Sequence, residues 1–313
     1  MATRLATDPV TADDPPATQP GAADQTRARY PEATGYVERD GVRIFYEVYG
    51  SGEPTVLLLP TWSIIHSRLW KLQIPDLARR SRVVTFDPRG NGRSDRPTDA
   101  DAYAESEFAA DALAVMDATG TERAVLVSLS MGAQRALLMA SEHPQRVAGA
   151  VFIAPALPFQ TAVPGRDRVS EFLSRLDTDE GWAKYNSHYW RRDYHGFLGF
   201  FVGECFSETY STKPIEDAVA WGTETDPESL ILTQLAAGLL DREEVLARCA
   251  RVRCPVLVIH GSEDRIRPHA DGKELARATG GRLVTIQGGG HIPNVREPVR
   301  VNLAIRDFIQ RLG

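Results

Sequence analysis

Six short apolar runs recur along this chain, and they limit its fold more than any other feature. They are Thr55–Leu59, Arg82–Phe86, Ala124–Val127, Gly149–Ala154, Pro255–Ile259 and Arg282–Ile286. Each is too short for a helix and lacks the alternation of a strand with one wet face. Each therefore predicts a strand buried on both faces. Segments with helical spacing fill the intervals, at Phe108–Thr119, Gly132–Glu142, Ala270–Ala278 and Pro298–Arg311. On the last of these, Val299, Leu303, Ile305, Phe308 and Ile309 are expected to form the helical apolar stripe. Strand and helix in alternation imply an α/β fold with a doubly wound, mostly parallel sheet. Ahead of it, Val37–Arg39 and Val42–Val48 flank Asp40-Gly41, a dipeptide suited to a hairpin turn.

The alternation stops between Pro155 and Ala247, a gap too long for a simple connection. It holds helical stretches such as Asp226–Leu240, so residues 155–247 are expected to form a helical cap inserted after the fourth parallel strand. Residues 35–154 and 248–313 would then form the core. Residues 1–34, rich in Ala, Thr, Pro and Asp, read as a disordered tail.

Charge and cysteine content narrow the function. A net charge of −6 argues against a nucleic-acid partner, which needs a concentrated basic face. No apolar run approaches the length of a membrane span, and the N-terminus lacks the apolar core of a signal peptide. Three cysteines, Cys205, Cys249 and Cys254, form no C-x-x-C pair. A zinc site is not expected, and free thiols fit a cytoplasmic protein, although the spacing leaves a Cys249–Cys254 bridge open.

The most informative segment is Ala124-Val-Leu-Val-Ser128-Leu-Ser130-Met131-Gly132. A buried strand runs directly into a helix with a serine at the turn. The pattern approximates G-x-S-x-G, whose small flanking residues let the chain bend sharply and expose the serine hydroxyl. Ser128 replaces the first glycine. Ser128 is also a rival nucleophile by residue type, and a serine at this place could be a simple helix cap. Ser130 is favoured because Ser128 comes two residues too early, still on the strand. A helix N-terminus offers free N–H groups, so the Met131 amide can donate to an oxyanion.

A serine nucleophile needs a base. Gly288-Gly-Gly290-His291 follows the last strand, and its glycines allow a tight turn that can carry the imidazole over the carboxyl ends of the sheet. The other histidines have weaker settings: His260 ends a strand, His269 begins a helix, His143 precedes a proline, and His188 and His195 lie in the expected cap. Asp264 lies in the turn after the preceding strand and can orient the histidine. A turn-capping aspartate is the plainer reading, and Glu263 is the neighbouring rival. Asp264 is preferred for its spacing between Gly261 and Pro268.

The order Ser130, Asp264, His291 resembles that of the α/β-hydrolase family. Asp87-Pro-Arg89-Gly90-Asn-Gly92-Arg-Ser94-Asp95 is similar to that family's D-x-R-G-x-G-x-S loop, with Arg89 and Asp87 expected to tie the loop together. Gly261-x-x-Asp264 and Gly290-His291 also agree, and the resemblance covers roughly Gly35 to Leu312. One departure stands out. Most members carry His-Gly after the first buried parallel strand, where this chain has Pro60-Thr61-Trp62-Ser63. The resemblance makes the Trp62 N–H the second oxyanion donor, but Pro60 and Thr61 leave the loop's shape open. His66 could order the loop or touch substrate, or simply start a helix. Pro-Thr-Trp-Ser, followed by Phe-Asp-Pro-Arg-Gly-Asn-Gly-Arg-Ser-Asp, is similar to hydrolase modules fused to nucleotide-cyclase domains in actinobacterial proteins. The end at Gly313, just after the last helical segment, leads us to expect no cyclase domain here.

The resemblance implies a two-step acyl transfer to water without metal or organic cofactor, on a small hydrophobic ester or lactone. A thioester, a C–C bond and perhydrolysis remain alternatives on the same residues. An aspartate nucleophile, as in haloalkane dehalogenases and epoxide hydrolases, is argued against by Ser130. Nine of the chain's 25 aromatic residues lie between Trp182 and Phe206, enough to pack a cap or to line an apolar lid. Candidate substrate contacts are His66, Phe159, Trp182, Tyr189 and Trp190. Arg191-Arg192-Asp193 reads as a solvated patch rather than a carboxylate clamp. The rival from another class is a ligand-binding or regulatory module that keeps the fold without turnover.

Overall fold

The computed structural model describes residues 27–159, 172–236 and 241–312. Eight strands form one sheet: β1 Ala33–Arg39, β2 Val42–Tyr49, β3 Val56–Leu58, β4 Val83–Phe86, β5 Ala124–Leu129, β6 Val147–Ile153, β7 Val256–Gly261 and β8 Arg282–Ile286. Their order is β1-β2-β4-β3-β5-β6-β7-β8. The β1–β2 and β2–β4 pairs are antiparallel and the others parallel. The hairpin turns at Asp40 and Gly41, which have φ of 53° and 77°. β1 begins at Ala33, inside the tail expected to reach residue 34, while residues 1–26 lie outside the described residues.

Five of the apolar runs become strands buried on both faces because each feeds two cores; the sixth is corrected, since β8 is the sheet edge, with Arg282 exposed, residues 283–285 half-buried and only Ile286 buried. On β3, Val56 and Leu58 enter one cluster while Leu57 enters the other, all fully buried. Burying each such side chain contributes roughly 1.5–3 kcal/mol. Helices α1 Ile74–Leu77, α2 Glu105–Ala118 and α3 Gly132–Glu142 flank the sheet in the first half of the chain.

Between β6 and β7 lie α4 Ser187–Arg192, α5 Tyr194–Glu204, α6 Thr212–Gly222, α7 Pro227–Leu235 and α8 Arg242–Cys249. Local caps start four of them, with Asp241 accepting from the Glu244 amide ahead of α8. Asn186 accepts from the His188 amide, Asp193 from Gly196, and Asp226 from Ser229 ahead of Pro227. The helix expected over 226–240 stops at Leu235, and 237–240 lie outside the described residues. An insertion ending at residue 247 would cut through α8. That helix packs instead against α3 and against α9 His269–Thr279 of the core, with Val245 fully buried there. Its Arg248 pairs with Glu142 and its Arg242 with Glu274.

The chain closes with α10 Pro293–Arg296 and α11 Pro298–Gln310. The stripe expected on α11 is corrected. Val299 and Leu303 are exposed, whereas Val301, Ile305 and Phe308 enter the core. At 100° per residue, positions 299 and 303 lie opposite 301, 305 and 308. No helix of the described residues is long and apolar enough to cross a membrane. All three cysteines are free thiols.

Candidate active site

β5 ends at Leu129 and α3 starts at Gly132, so the chain turns through Ser130 and Met131. Ser130 pays for this turn with a φ of 52°, the left-handed region that non-glycine residues avoid. Its amide donates to Ile153 O at 3.0 Å, and its carbonyl accepts from Ala133 and Ala156 at 3.0 Å each. The strained residue is thus held from three sides. Gly132 explains why a small residue is needed next. A Cβ there would lie 2.6 Å from Pro60 O. Ser128 is fully buried on β5, and its hydroxyl donates to Val151 O at 3.1 Å. It faces away from the chemistry described below.

The Ser130 Oγ lies 2.9 Å from His291 Nε2, and His291 Nδ1 lies 2.8 Å from Asp264 Oδ2. Asp264 follows β7 and His291 follows β8, so neighbouring strand ends supply the pair. The Asp264 side chain is fully buried. Its Oδ1 accepts from the Ile266 and Arg267 amides at 2.7 and 2.9 Å. Burial works to raise this carboxyl, but His291 and His260 outweigh it and hold it well below the usual carboxylate range. The carboxylate therefore stays ionised and fixes the His291 tautomer with Nε2 facing the serine. The Glu263 backbone, not its carboxylate, is used here: its amide donates to Gly289 O at 3.0 Å and its carbonyl accepts from Ser207 Oγ.

The segment after α5 grips the histidine loop. His291 N donates to Cys205 O at 2.8 Å, and Gly290 N donates to Glu208 Oε1 at 2.9 Å. A Cβ on Gly290 would meet Cys205 O at 2.7 Å, which explains the glycine before the histidine.

Sequence reasoning missed two residues at this site. His260, placed among the weaker histidines, sends Nε2 to Asp264 Oδ2 at 3.0 Å, so two imidazoles share one carboxylate oxygen. Its position four residues before Asp264 on the same strand end was the available signal. Arg135 on α3 is the second. It is 1% exposed, and Nη1 donates to Pro60 O at 2.8 Å and Thr61 O at 2.6 Å. Its signal was a cation among alanines and leucines just past the turn.

The loop 60–63 is also held from its far side. Ser63 Oγ donates to Arg89 O at 3.0 Å, and Asn91 Nδ2 donates to Ser63 O at 2.7 Å. Asp87 ties its own loop as expected, whereas the same expectation for Arg89 is corrected. Asp87 accepts from the Ser67 and Arg93 amides. The Arg89 guanidinium reaches out of the loop to Asp111 on α2, at 2.7 and 2.6 Å. Among the described residues, neither the Trp62 nor the Met131 amide meets a hydrogen-bond acceptor.

Of the five candidate substrate contacts, Trp182, Tyr189 and Trp190 share one apolar cluster with Trp62 and Met131, and Phe159 lies in the other. His66 caps a 3₁₀ turn at Ser67–Trp70, accepting from the Arg68 amide at 3.4 Å, with Nε2 3.3 Å from Glu224. Phe159 is buried in the cluster that α2 and α3 share with the sheet. Trp190 is fully buried, its ring 4.3 Å from Phe197, and its indole donates to Lys184 O. Tyr189 turns its hydroxyl to Asp193 at 3.1 Å. Trp182 is half-buried and packs on Phe200 at 5.1 Å. Lys184 and Arg192 lie over the Tyr189 ring, while Trp182 and Trp190 pack against other rings of the insertion. The Trp62 side chain joins them, 5.3 Å from Phe201, with its indole donating to Thr233 Oγ1 at 2.7 Å. Arg191 pairs with Glu228, Arg192 with Asp179, and Asp193 caps α5, so that patch forms no clamp at the site.

Residues 54–298 match a family model described as alpha/beta hydrolase fold. A putative non-heme chloroperoxidase from Synechocystis sp. is 28% identical over 86% of this chain and 95% of its own length. A pimeloyl-[acyl-carrier protein] methyl ester esterase from Edwardsiella ictaluri is 26% identical over 85% of this chain and 96% of its own. Among solved structures, Est816, described as an N-acyl homoserine lactone degrading enzyme, superposes with a TM-score of 0.71. It is 26% identical and covers 88% of this chain and all of its own, 100%.

Proposed function

This chain belongs to the α/β-hydrolase family, and from that premise we propose that it hydrolyses an ester or lactone of a hydrophobic substrate through a covalent acyl-serine. The observation that carries the reading is the unbroken hydrogen-bond line from Ser130 through His291 to Asp264, starting at a strained turn.

His291 Nε2 takes the proton from Ser130 Oγ as that oxygen bonds to the substrate carbonyl carbon. The carbonyl π pair moves onto oxygen, where the Met131 and Trp62 amides would receive it. Collapse breaks the bond to the leaving alkoxide, which takes the proton from His291. His291 next takes a proton from water, the resulting hydroxide adds to the acyl carbon, and Ser130 leaves with the proton restored. Asp264 remains a carboxylate throughout and stabilises the imidazolium. A methyl ester and an acyl lactone are named among the relatives' substrates, which supports an oxygen ester here. The free thiols are in keeping with a reducing cytoplasm.

The test is intact-mass analysis after a fluorophosphonate probe, with wild type beside Ser130→Ala. One adduct on wild type and none on the variant is expected, with ester turnover falling roughly 10⁴-fold or more in the variant. A folded wild type that takes no adduct and releases no product, yet binds acyl ligands, would instead mark a binding module.

A further inference from the structure

Arg135 poses a question that packing alone does not answer. Its neighbours on α3, Ala133, Ala136 and Leu137, are all fully buried. An apolar side chain would fill this place without the cost of desolvating a guanidinium. The cation is balanced by Glu105, whose Oε2 accepts from Nε at 3.0 Å, and it lies 3.8 Å over the Phe108 ring. What arginine supplies that an apolar residue lacks is its hold on two consecutive carbonyls, Pro60 and Thr61.

The Thr61 carbonyl belongs to the same peptide unit as the Trp62 N–H. Among the described residues only Glu53-Pro54 is a cis peptide, so this unit is trans. In a trans peptide the two bonds point in opposite directions. Anchoring the Thr61 oxygen on Arg135 therefore turns the Trp62 N–H away from that guanidinium and keeps it there. Pro60 has no N–H with which to anchor the loop, and Thr61 lacks the freedom of a glycine. A rigid two-carbonyl donor offsets both losses, and Asn91 and Arg89 fix Ser63 on the other side of Trp62.

Resting on the reading of Ser130 as a nucleophile, we infer that Arg135 is a positioning residue: it orients the Thr61–Trp62 peptide so that the Trp62 N–H serves the oxyanion. It touches no substrate and acts only through that peptide.

The test compares wild type with Arg135→Met, which keeps the stem and removes the donors. The assay uses 4-nitrophenyl butyrate and a trifluoromethyl ketone of the same acyl chain, whose hemiketal oxyanion mimics the intermediate. Loss of one oriented donor predicts that kcat falls about 10²-fold while KM stays within roughly threefold. Ketone affinity should fall by the same factor as kcat/KM, which general loosening of the core would not produce. A folded variant with wild-type kcat, or one that loses kcat with unchanged ketone affinity, overturns the inference. Should Arg135→Met fail to fold, Arg135→Lys decides on the same readouts. Its Nζ ends one bond short of the arginine Nη1 that holds both carbonyls, so a coupled loss of about tenfold is expected, and no loss overturns the role. Fluorophosphonate labelling of wild type separates the two levels. A labelled wild type with an insensitive Arg135 defeats this inference alone, whereas an unlabelled one defeats the hydrolase reading and this role with it.

Discussion

Gly132→Ala is an unusually clean probe of the site, because the backbone itself does not object to alanine. Gly132 is the first residue of α3 and is not among the positive-φ glycines. Alanine is favoured there over glycine by as much as ~1 kcal/mol of helix propensity. The penalty comes from outside the helix. The new methyl carbon would lie 2.6 Å from Pro60 O, against an ordinary contact that begins at 3.4 Å, so the carbonyl must retreat by 3.4 − 2.6 = 0.8 Å. That oxygen is bonded to Arg135 Nη1, and the next peptide carries the Trp62 N–H. A displacement of this size at a reacting centre costs on the order of 10²-fold in rate, or about 2.7 kcal/mol of transition-state stabilisation. Overpacking costs ~1–3 kcal/mol of stability, partly offset by the helix gain, so the melting temperature should fall by only a few degrees. The assay is kcat for 4-nitrophenyl butyrate, with thermal unfolding alongside. Wild-type kcat in a folded Gly132→Ala protein would refute the claim that the 60–62 loop abuts the turn closely enough to govern the chemistry.

Three further outcomes follow from the structure. Asp264→Asn should lower kcat about 10⁴-fold by releasing the histidine tautomer, read with the same ester. The fold holds the Asp264 carboxyl below its unfolded value of about 3.9, so its stabilising contribution is full above that pH. Wild type's urea-midpoint advantage over Asp264→Asn should therefore shrink as pH falls from about 5 to about 3; a growing advantage would contradict the assignment. Burial pushes the Cys249 thiol up to about 12 and the Cys254 thiol to about 11. Iodoacetamide at neutral pH should leave both unmodified in the native protein and alkylate all three cysteines in urea, as read by mass; rapid native labelling of Cys249 would contradict its burial.

The strands could be read because a segment buried on both faces needs no knowledge of its neighbours: Leu57 and Leu58 are apolar whichever way they point. Ser130, Asp264 and His291 could be singled out because each sits at a strand end with its own turn residues. What required three dimensions was direction. Val299 and Leu303 are as apolar as Val301, and only packing decides which side of α11 is wet. Trp190 and Phe159 are aromatic for the sake of other side chains, and composition does not distinguish a ring that packs from one that waits for a ligand. Arg135 reaches a carbonyl far away in sequence, on Thr61, with nothing local beyond its odd surroundings, whereas His260 lies only four residues from Asp264 and the turn between them decides that it shares the carboxylate.

The insertion's grip on the histidine loop bears on how such enzymes diversify. Cys205 and Glu208 belong to the insertion between β6 and β7, yet they fasten the backbone that carries His291. The segment is therefore not a detachable cassette. A chimera that imports another relative's helices in place of these would also replace the mooring of His291. Grafts that retain residues 205–208 should keep reactivity while changing selectivity, and evolution of new substrate ranges in this lineage would be channelled toward α4 and α7, which bear none of that mooring.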